Sequence, residues 1–172
     1  MKILIVKIGA LGDVVMALPL LSSIKADIPE ASITWVTGEQ AAPLLRATGL
    51  VNTLIALPEE KLFKGSFFRK LFVLSSLWRR LAFRSFDLCL TLHVDWRYRL
   101  LSWPIQCRDR RFWTRKKGRL CPVPGRYHAE EAVRLWTQKD TPSSSITFPS
   151  LHLPSLPLPD KTSPWVAIAP GG

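Results

Sequence analysis

Met1-Lys-Ile-Leu-Ile-Val-Lys-Ile-Gly-Ala-Leu-Gly-Asp13-Val-Val-Met-Ala-Leu-Pro-Leu20 is the stretch from which the fold can be read. Lys2–Val6 is a short apolar run rich in β-branched residues, which predicts a buried strand. Lys7 to Gly12 holds two glycines and predicts a loop. Val14 to Ala26 carries apolar residues all round and predicts a buried helix. A strand, a tight glycine-containing turn and a helix form the first half of a βαβ unit. Asp13 stands where the predicted helix begins.

The turn is not a known phosphate cradle. Glycines at 9 and 12 lack the third glycine and the spacing of G-x-G-x-x-G, and no Lys-Ser or Lys-Thr follows Gly12 as a P-loop requires. A helix N-terminus attracts anions, but Asp13 at that point repels a phosphate placed directly on it. Asp13 itself has two readings. It is a good helix N-cap. It is also a carboxylate at the carboxyl end of the first strand, the edge where open α/β sheets bind ligands. Held by backbone N–H groups, such a carboxylate stays ionised and can accept a proton from a hydroxyl.

Further along, strands and helices alternate. Strands are expected at Ala31–Thr37, Asn52–Leu57, Leu88–Leu92 and Trp165–Ala169, with a short irregular or strand region near Ile105–Trp113. Helices are expected at Gln40–Thr48, Ser66–Arg84, Trp96–Trp103 and His128–Gln138. Strands separated by helices imply a parallel sheet with right-handed crossovers. Residues 142–164 carry six of the 14 prolines and several serines and read as an extended linker. The expected organisation is one domain over 1–141, the linker at 142–164, and a first strand of a second, truncated domain at 165–172.

The helix at 66–84 places aromatic and aliphatic residues at helical spacing, with Arg69, Lys70, Arg79, Arg80 and Arg84 between them. Such a helix packs on a core with a solvated basic side, or lies in an anionic membrane interface, or does both at a domain edge. His93 and Asp95 follow a predicted strand and fall at the same carboxyl edge as Asp13, where either can help orient a substrate.

Composition narrows the class. The 172 residues suffice for one sizeable core, and 47% are apolar, which excludes a disordered chain. Net charge is +11, but residues 61–126 hold 17 Lys and Arg against Asp87, Asp95 and Asp109, a net of +14. The remainder is therefore net −3, so the excess is one basic face rather than a generally basic protein. A face of this kind suits nucleic acid, anionic membrane or a phosphorylated glycolipid. No zinc-finger spacing or RNP-type aromatic motif points to nucleic acid. Cys89, Cys107 and Cys121 are odd in number and contain no C-x-x-C, which argues against a disulfide framework or a zinc site and fits a reducing cytoplasm. Lys7 and Asp13 interrupt the N-terminal apolar run, against a secretion signal, and no run of about twenty apolar residues spans a membrane.

Lys7-x-Gly9-x-x-Gly12-Asp13-Val14-x-x-x-x-Pro19, with Ile33–Thr37, Glu39-x-x-Ala-Pro-Leu-Leu45, Phe86–Leu92, His128-Ala-x-Glu131 and Val166-Ala-Ile-Ala-Pro-Gly171, resembles the lipopolysaccharide heptosyltransferases. That resemblance implies a Rossmann-like α/β domain, the N-terminal, acceptor-side half of a GT-B glycosyltransferase. It implies transfer of a heptose from ADP-heptose to the inner core on lipid A, by a metal-independent, inverting reaction with no cofactor. Asp13 would be the catalytic base. Lys7, the Gly9–Gly12 turn, Lys61, Lys64, Arg69, Arg97 and His128 would hold the anionic acceptor. Where the family often has an arginine four residues after this histidine, the chain has Ala132. The ADP-sugar would be bound mainly by residues beyond Gly172, so the 172 residues alone would be inactive. The protein would work in the cytoplasm, peripheral on the inner face of the cytoplasmic membrane. The alternative is a non-catalytic Rossmann-like module that binds a polyanion or a nucleotide.

Overall fold

The computed structural model describes residues 1–59, 66–114, 121–140 and 146–152. The elements, in chain order, are β1 (Lys2–Val6), α1 (Leu11–Val15), α2 (Pro19–Asp27), β2 (Ser32–Gly38), α3 (Ala42–Ala47), β3 (Thr53–Leu57), α4 (Phe67–Leu81), β4 (Ser85–Thr91), α5 (Arg97–Leu100), β5 (Gln106–Phe112) and α6 (His128–Thr137). The strands form one parallel sheet in the order β3-β2-β1-β4-β5.

Alternation along the strands divides the core between the two faces of the sheet. Ile3 and Ile5 of β1, Ile33 and Trp35 of β2, and Leu88 and Leu90 of β4 pack with Leu20, Leu21 and Ile24 of α2 and with Leu135 and Trp136 of α6. Leu4, Val6, Val36, Ile55 and Cys89 point the other way, onto Val73, Leu77 and Leu81 of α4. Both faces are covered, so β1 and β2 are apolar almost throughout, as parallel strands in α/β sheets are. The indole N–H of Trp136 donates to Asp27 Oδ2 at 2.6 Å and ties α6 to the end of α2. β5 closes one edge with Arg108, Asp109, Arg110 and Arg111 in a row, and this charge disfavours pairing with a further strand.

The sheet differs from the sequence expectation in instructive ways. The single helix expected at Val14–Ala26 is two, α1 and α2, with a tight turn over 16–18. Pro19 is the reason: it has no N–H to continue the ladder, and it takes the first position of α2, where that loss costs nothing. Because α1 starts at Leu11, Asp13 lies inside its first turn, and the N-cap residue is Ala10. The capping reading of Asp13 therefore fails. β4 begins at Ser85, three residues earlier than the apolar run, and the segment 106–112 is a full strand. The expected helix at Trp96–Trp103 shrinks to the single turn of α5 followed by turns to 104.

Residues 146–152 have no regular structure but return to the body, His152 N–H donating to the Ala47 carbonyl at 2.6 Å. The rest of the expected linker after 152 and the expected strand Trp165–Ala169 lie outside the described residues. So do Lys61 and Lys64. Arg69 falls in the first turn of α4. No helix among the described residues is long and apolar enough to cross a membrane.

Candidate functional site

From β1 the chain winds outward through β2 and β3, then returns to β4 and β5 on the other side. The two directions part between β1 and β4, and at such a switch point the loops leaving the carboxyl ends diverge and open a crevice. Pairing continues one residue past the strands, with Lys7 N–H donating to Val36 O at 3.1 Å and Leu92 N–H to Val6 O at 3.0 Å. The residues that follow, Lys7 to Asp13 and His93 to Arg97, leave the sheet at this edge.

Lys7 is the most constrained cation of the site. Its side chain is buried, and its ammonium lies 3.6 Å from Asp13 Oδ2, an ion pair rather than a tight hydrogen bond. Burial lowers its pKa, and the Asp13 charge opposes that shift. The ammonium also lies 6.0 Å from the centre of the Trp113 ring, within cation–π range. Asp13 is half exposed, so one face of the carboxylate meets Lys7 while the group stays open to a ligand. Gly9 is explained by the same contact. Its φ is not positive, but a Cβ there would lie 3.2 Å from Asp13 Oδ2. A Cβ at Gly12 would meet nothing within 4 Å, and the structure offers no reason for that glycine.

His93 locks the floor. Its Nε2 accepts the Ile8 N–H at 3.0 Å, and its ring stacks on Tyr98 with centroids 3.7 Å apart and planes 12° from parallel. Desolvation, aided by the nearby Lys7 charge, pushes its pKa down to about 3. A neutral imidazole that accepts at Nε2 carries its proton on Nδ1. His93 therefore holds the β1 and β4 exits together and does not shuttle protons. Asp95 is occupied by Arg97: it accepts from the Arg97 backbone N–H at 3.0 Å and from its guanidinium at 2.8 and 2.5 Å. Arg97 is thus an exposed cation already matched by a carboxylate. Arg99 turns away, its guanidinium lying 3.6 Å from the Phe112 ring centre.

Of the residues proposed from sequence, the structure groups Lys7, Gly9 and Asp13, with His128 related to them only through Trp113, while Arg97 pairs with Asp95 and lines a groove beside α5. His128 is exposed at the start of α6, with its ring 6.3 Å from that of Trp113. Trp113, buried just after β5, is the link between Lys7 and His128 and was not singled out by the sequence. An aromatic one residue beyond the last strand was the available signal, but it is visible only if 106–112 is known to be a strand of this sheet. Glu131 does not join the site. It is buried against Arg134 at 2.5 Å and Arg126 at 3.7 Å, and Arg134 also donates to the Cys121 carbonyl, so this network fastens α6 to its preceding loop. Ala132 is buried in the core, which leaves no room for an arginine at that position. Cys89 is likewise a core residue, its thiol pushed up to about 11 by burial. Among the described residues no cluster of three or more His, Cys, Asp and Glu could hold a metal ion.

No protein-family model matches the chain. It is 28% identical over 115 residues to the lipopolysaccharide core heptosyltransferase OpsX of Haemophilus influenzae, an alignment covering 67% of this chain and 30% of that protein. The fold matches the glycosyl transferase family 9 structure from Veillonella parvula with a TM-score of 0.73 at 18% identity, over 90% of this chain and 45% of that one. It matches E. coli heptosyltransferase WaaC, solved with ADP-2-deoxy-2-fluoro heptose, with a TM-score of 0.68 at 18% identity, over 80% of this chain and 48% of that one. The chain thus spans less than half the length of these relatives. The chain therefore resembles a lipopolysaccharide core heptosyltransferase in sequence and shares the fold of the other two structures.

Proposed function

We propose that this chain, similar in sequence and fold to one half of a lipopolysaccharide heptosyltransferase, is the acceptor-side half of a GT-B glycosyltransferase. The reaction is transfer of a heptose from ADP-heptose to the inner core of lipopolysaccharide. The observation that carries it is the Lys7–Asp13 pair at the switch point of the sheet, half open to the crevice. Asp13 takes the proton of the acceptor hydroxyl, and the freed oxygen lone pair attacks the anomeric carbon. The bond from that carbon to the ADP oxygen breaks, and ADP leaves with the electron pair. Attack opposite the leaving group inverts the configuration. Lys7 pairs with Asp13 and, with His128, meets the acceptor. Trp113 holds Lys7 from behind. The ADP-sugar is held mainly by the half that this chain does not span. The basic face over 61–126 draws the protein to the anionic inner face of the cytoplasmic membrane, where it works as a peripheral enzyme.

The test is Asp13→Asn in a protein that carries this half together with its donor half. Removing a general base costs a factor of roughly 10² to 10⁴ in rate. Transfer from ADP-heptose, read as ADP release with acceptor present, is expected to fall in that range while the melting curve is unchanged. Retention of more than about a tenth of the wild-type rate contradicts the assignment.

A further inference from the structure

α4 is apolar on two opposite sides. Val73, Leu77 and Leu81 are buried against the sheet. On the outer side Phe68 is 79% exposed, Phe72 70% and Leu71 46%, at positions three and four apart that share one helix face. Beside them, between α4 and α5, runs a groove of about 260 Å³ lined mainly by Lys70, Leu74, Trp96, Arg97, Tyr98 and Leu101. Trp96 is 64% exposed on its lip. Contiguous exposed aromatics of this kind mark an interaction surface.

The charges around the patch select its partner. Residues 61–86 contain seven Lys and Arg and no Asp or Glu. A second copy of this chain would bring the same cations against themselves. A nucleic acid duplex would match the charge but leave the phenylalanines and the groove in water. An anionic bilayer answers both needs, with phosphate headgroups for the cations and an acyl boundary for the rings. Placement agrees with this. α4 is the crossover helix between two parallel strands, β3 and β4, so its N-terminal half lies at the carboxyl edge of the sheet, the edge of the crevice. Tyr98 lines the groove and stacks on His93, which joins the two features.

We propose that the outer face of α4 and the α4–α5 groove dock on an anionic lipid bilayer, with Phe68, Leu71, Phe72 and Trp96 entering the headgroup–acyl boundary and Lys70, Arg79 and Arg80 meeting headgroups. This locates the membrane contact of the proposed function in a defined face. It needs no sugar donor for its test, so its failure and the failure of the transfer reading are separate results. The 172-residue chain is mixed with vesicles of phosphatidylcholine alone or of phosphatidylcholine with phosphatidylglycerol, and bound protein is measured by flotation at low salt and at about 0.15 M, where charges separated by more than roughly 8 Å are screened. Binding is expected only with phosphatidylglycerol and to weaken with salt. Leu71→Ser combined with Phe72→Ser and Trp96→Ser, all at exposed positions, is expected to weaken it at least about tenfold through lost apolar burial. In the unaltered chain, amide exchange over 67–81 and 96–101 is expected to slow when the anionic vesicles are added. Wild-type affinity of the triple variant, equal binding to neutral vesicles, or unchanged exchange over those residues overturns the proposal. So does self-association through this face, read as a dimer of the wild-type chain that the triple variant lacks.

Discussion

The crevice at the ends of β1 and β4 and the flank built by α4 and α5 are both rich in cations, yet they use them in opposite ways. In the crevice there are few charges and they have defined partners: Lys7 is buried, pairs with Asp13 and lies within cation–π range of Trp113. On the flank there are many, and Arg79, Arg80 and Arg84 stand exposed among aromatic residues. A buried charge is worth specificity because displacing its partner is expensive, whereas solvated charges add up to a long-range, salt-screened field. Net charge alone does not distinguish a site from a steering surface; desolvation does.

The largest test of that contrast is His93, beneath the crevice. Its folded pKa is held at about 3 against an ordinary 6.5. Between these values the unfolded chain binds a proton that the folded chain refuses. Stability is therefore fully present above about 6.5 and is lost as pH falls, at up to about 1.4 kcal/mol per pH unit from this group. Urea midpoints measured from pH 7 downward are expected to show a steeper loss in wild type than in His93→Gln, whose amide oxygen can still accept the Ile8 N–H. Parallel curves for the two proteins refute the latch.

Lys7→Met sharpens the comparison from the other charge. Asp13, the partner left behind, is half exposed and stays hydrated, so replacing the desolvated ammonium by a chain of similar volume is expected to leave stability unchanged or raise it by ~1 kcal/mol. Acceptor affinity is expected to fall at the same time. A destabilisation of more than ~1 kcal/mol in thermal melts would make Lys7 a pillar of the fold instead.

Gly9→Ala probes the spacing of the turn. The new methyl meets Asp13 Oδ2 at 3.2 Å and must move it by tenths of an ångström. Transfer is expected to drop by up to about tenfold, because catalysis is sensitive to small misplacements. Stability is expected to hold or gain ~0.5 kcal/mol from the stiffer unfolded chain. An unchanged rate would show that Asp13 does not need that approach.

The smallest effect on the fold is expected on the flank. Arg79→Ser with Arg80→Ser is expected to change stability by less than about 0.5 kcal/mol, as exposed substitutions do. The salt dependence of vesicle binding is expected to flatten. A thermal melt that shifts markedly while vesicle binding does not would reverse the roles assigned to the two regions.

By itself the sequence determined the architecture. Apolar five- to seven-residue runs separated by helical patterns dictate a parallel α/β sheet, because only burial on both faces suits such strands. It also placed Asp13 and Lys7 at a strand end, where local order suffices to find them. It could not show that Pro19 splits the first helix, that this helix starts at Leu11 and takes Asp13 into its first turn, or that a strand as charged as Gln106–Phe112 belongs to the sheet. Strand order was decided only in three dimensions. Once β4 lies beside β1 and β5 beside β4, Ile8 meets His93 across 85 positions of sequence, and Trp113 reaches Lys7. Those contacts depend on pairing between distant strands, which no local pattern encodes. The same holds for α4: its sequence is apolar on two sides, and only packing on the sheet decides which side is core and which is left to meet a partner.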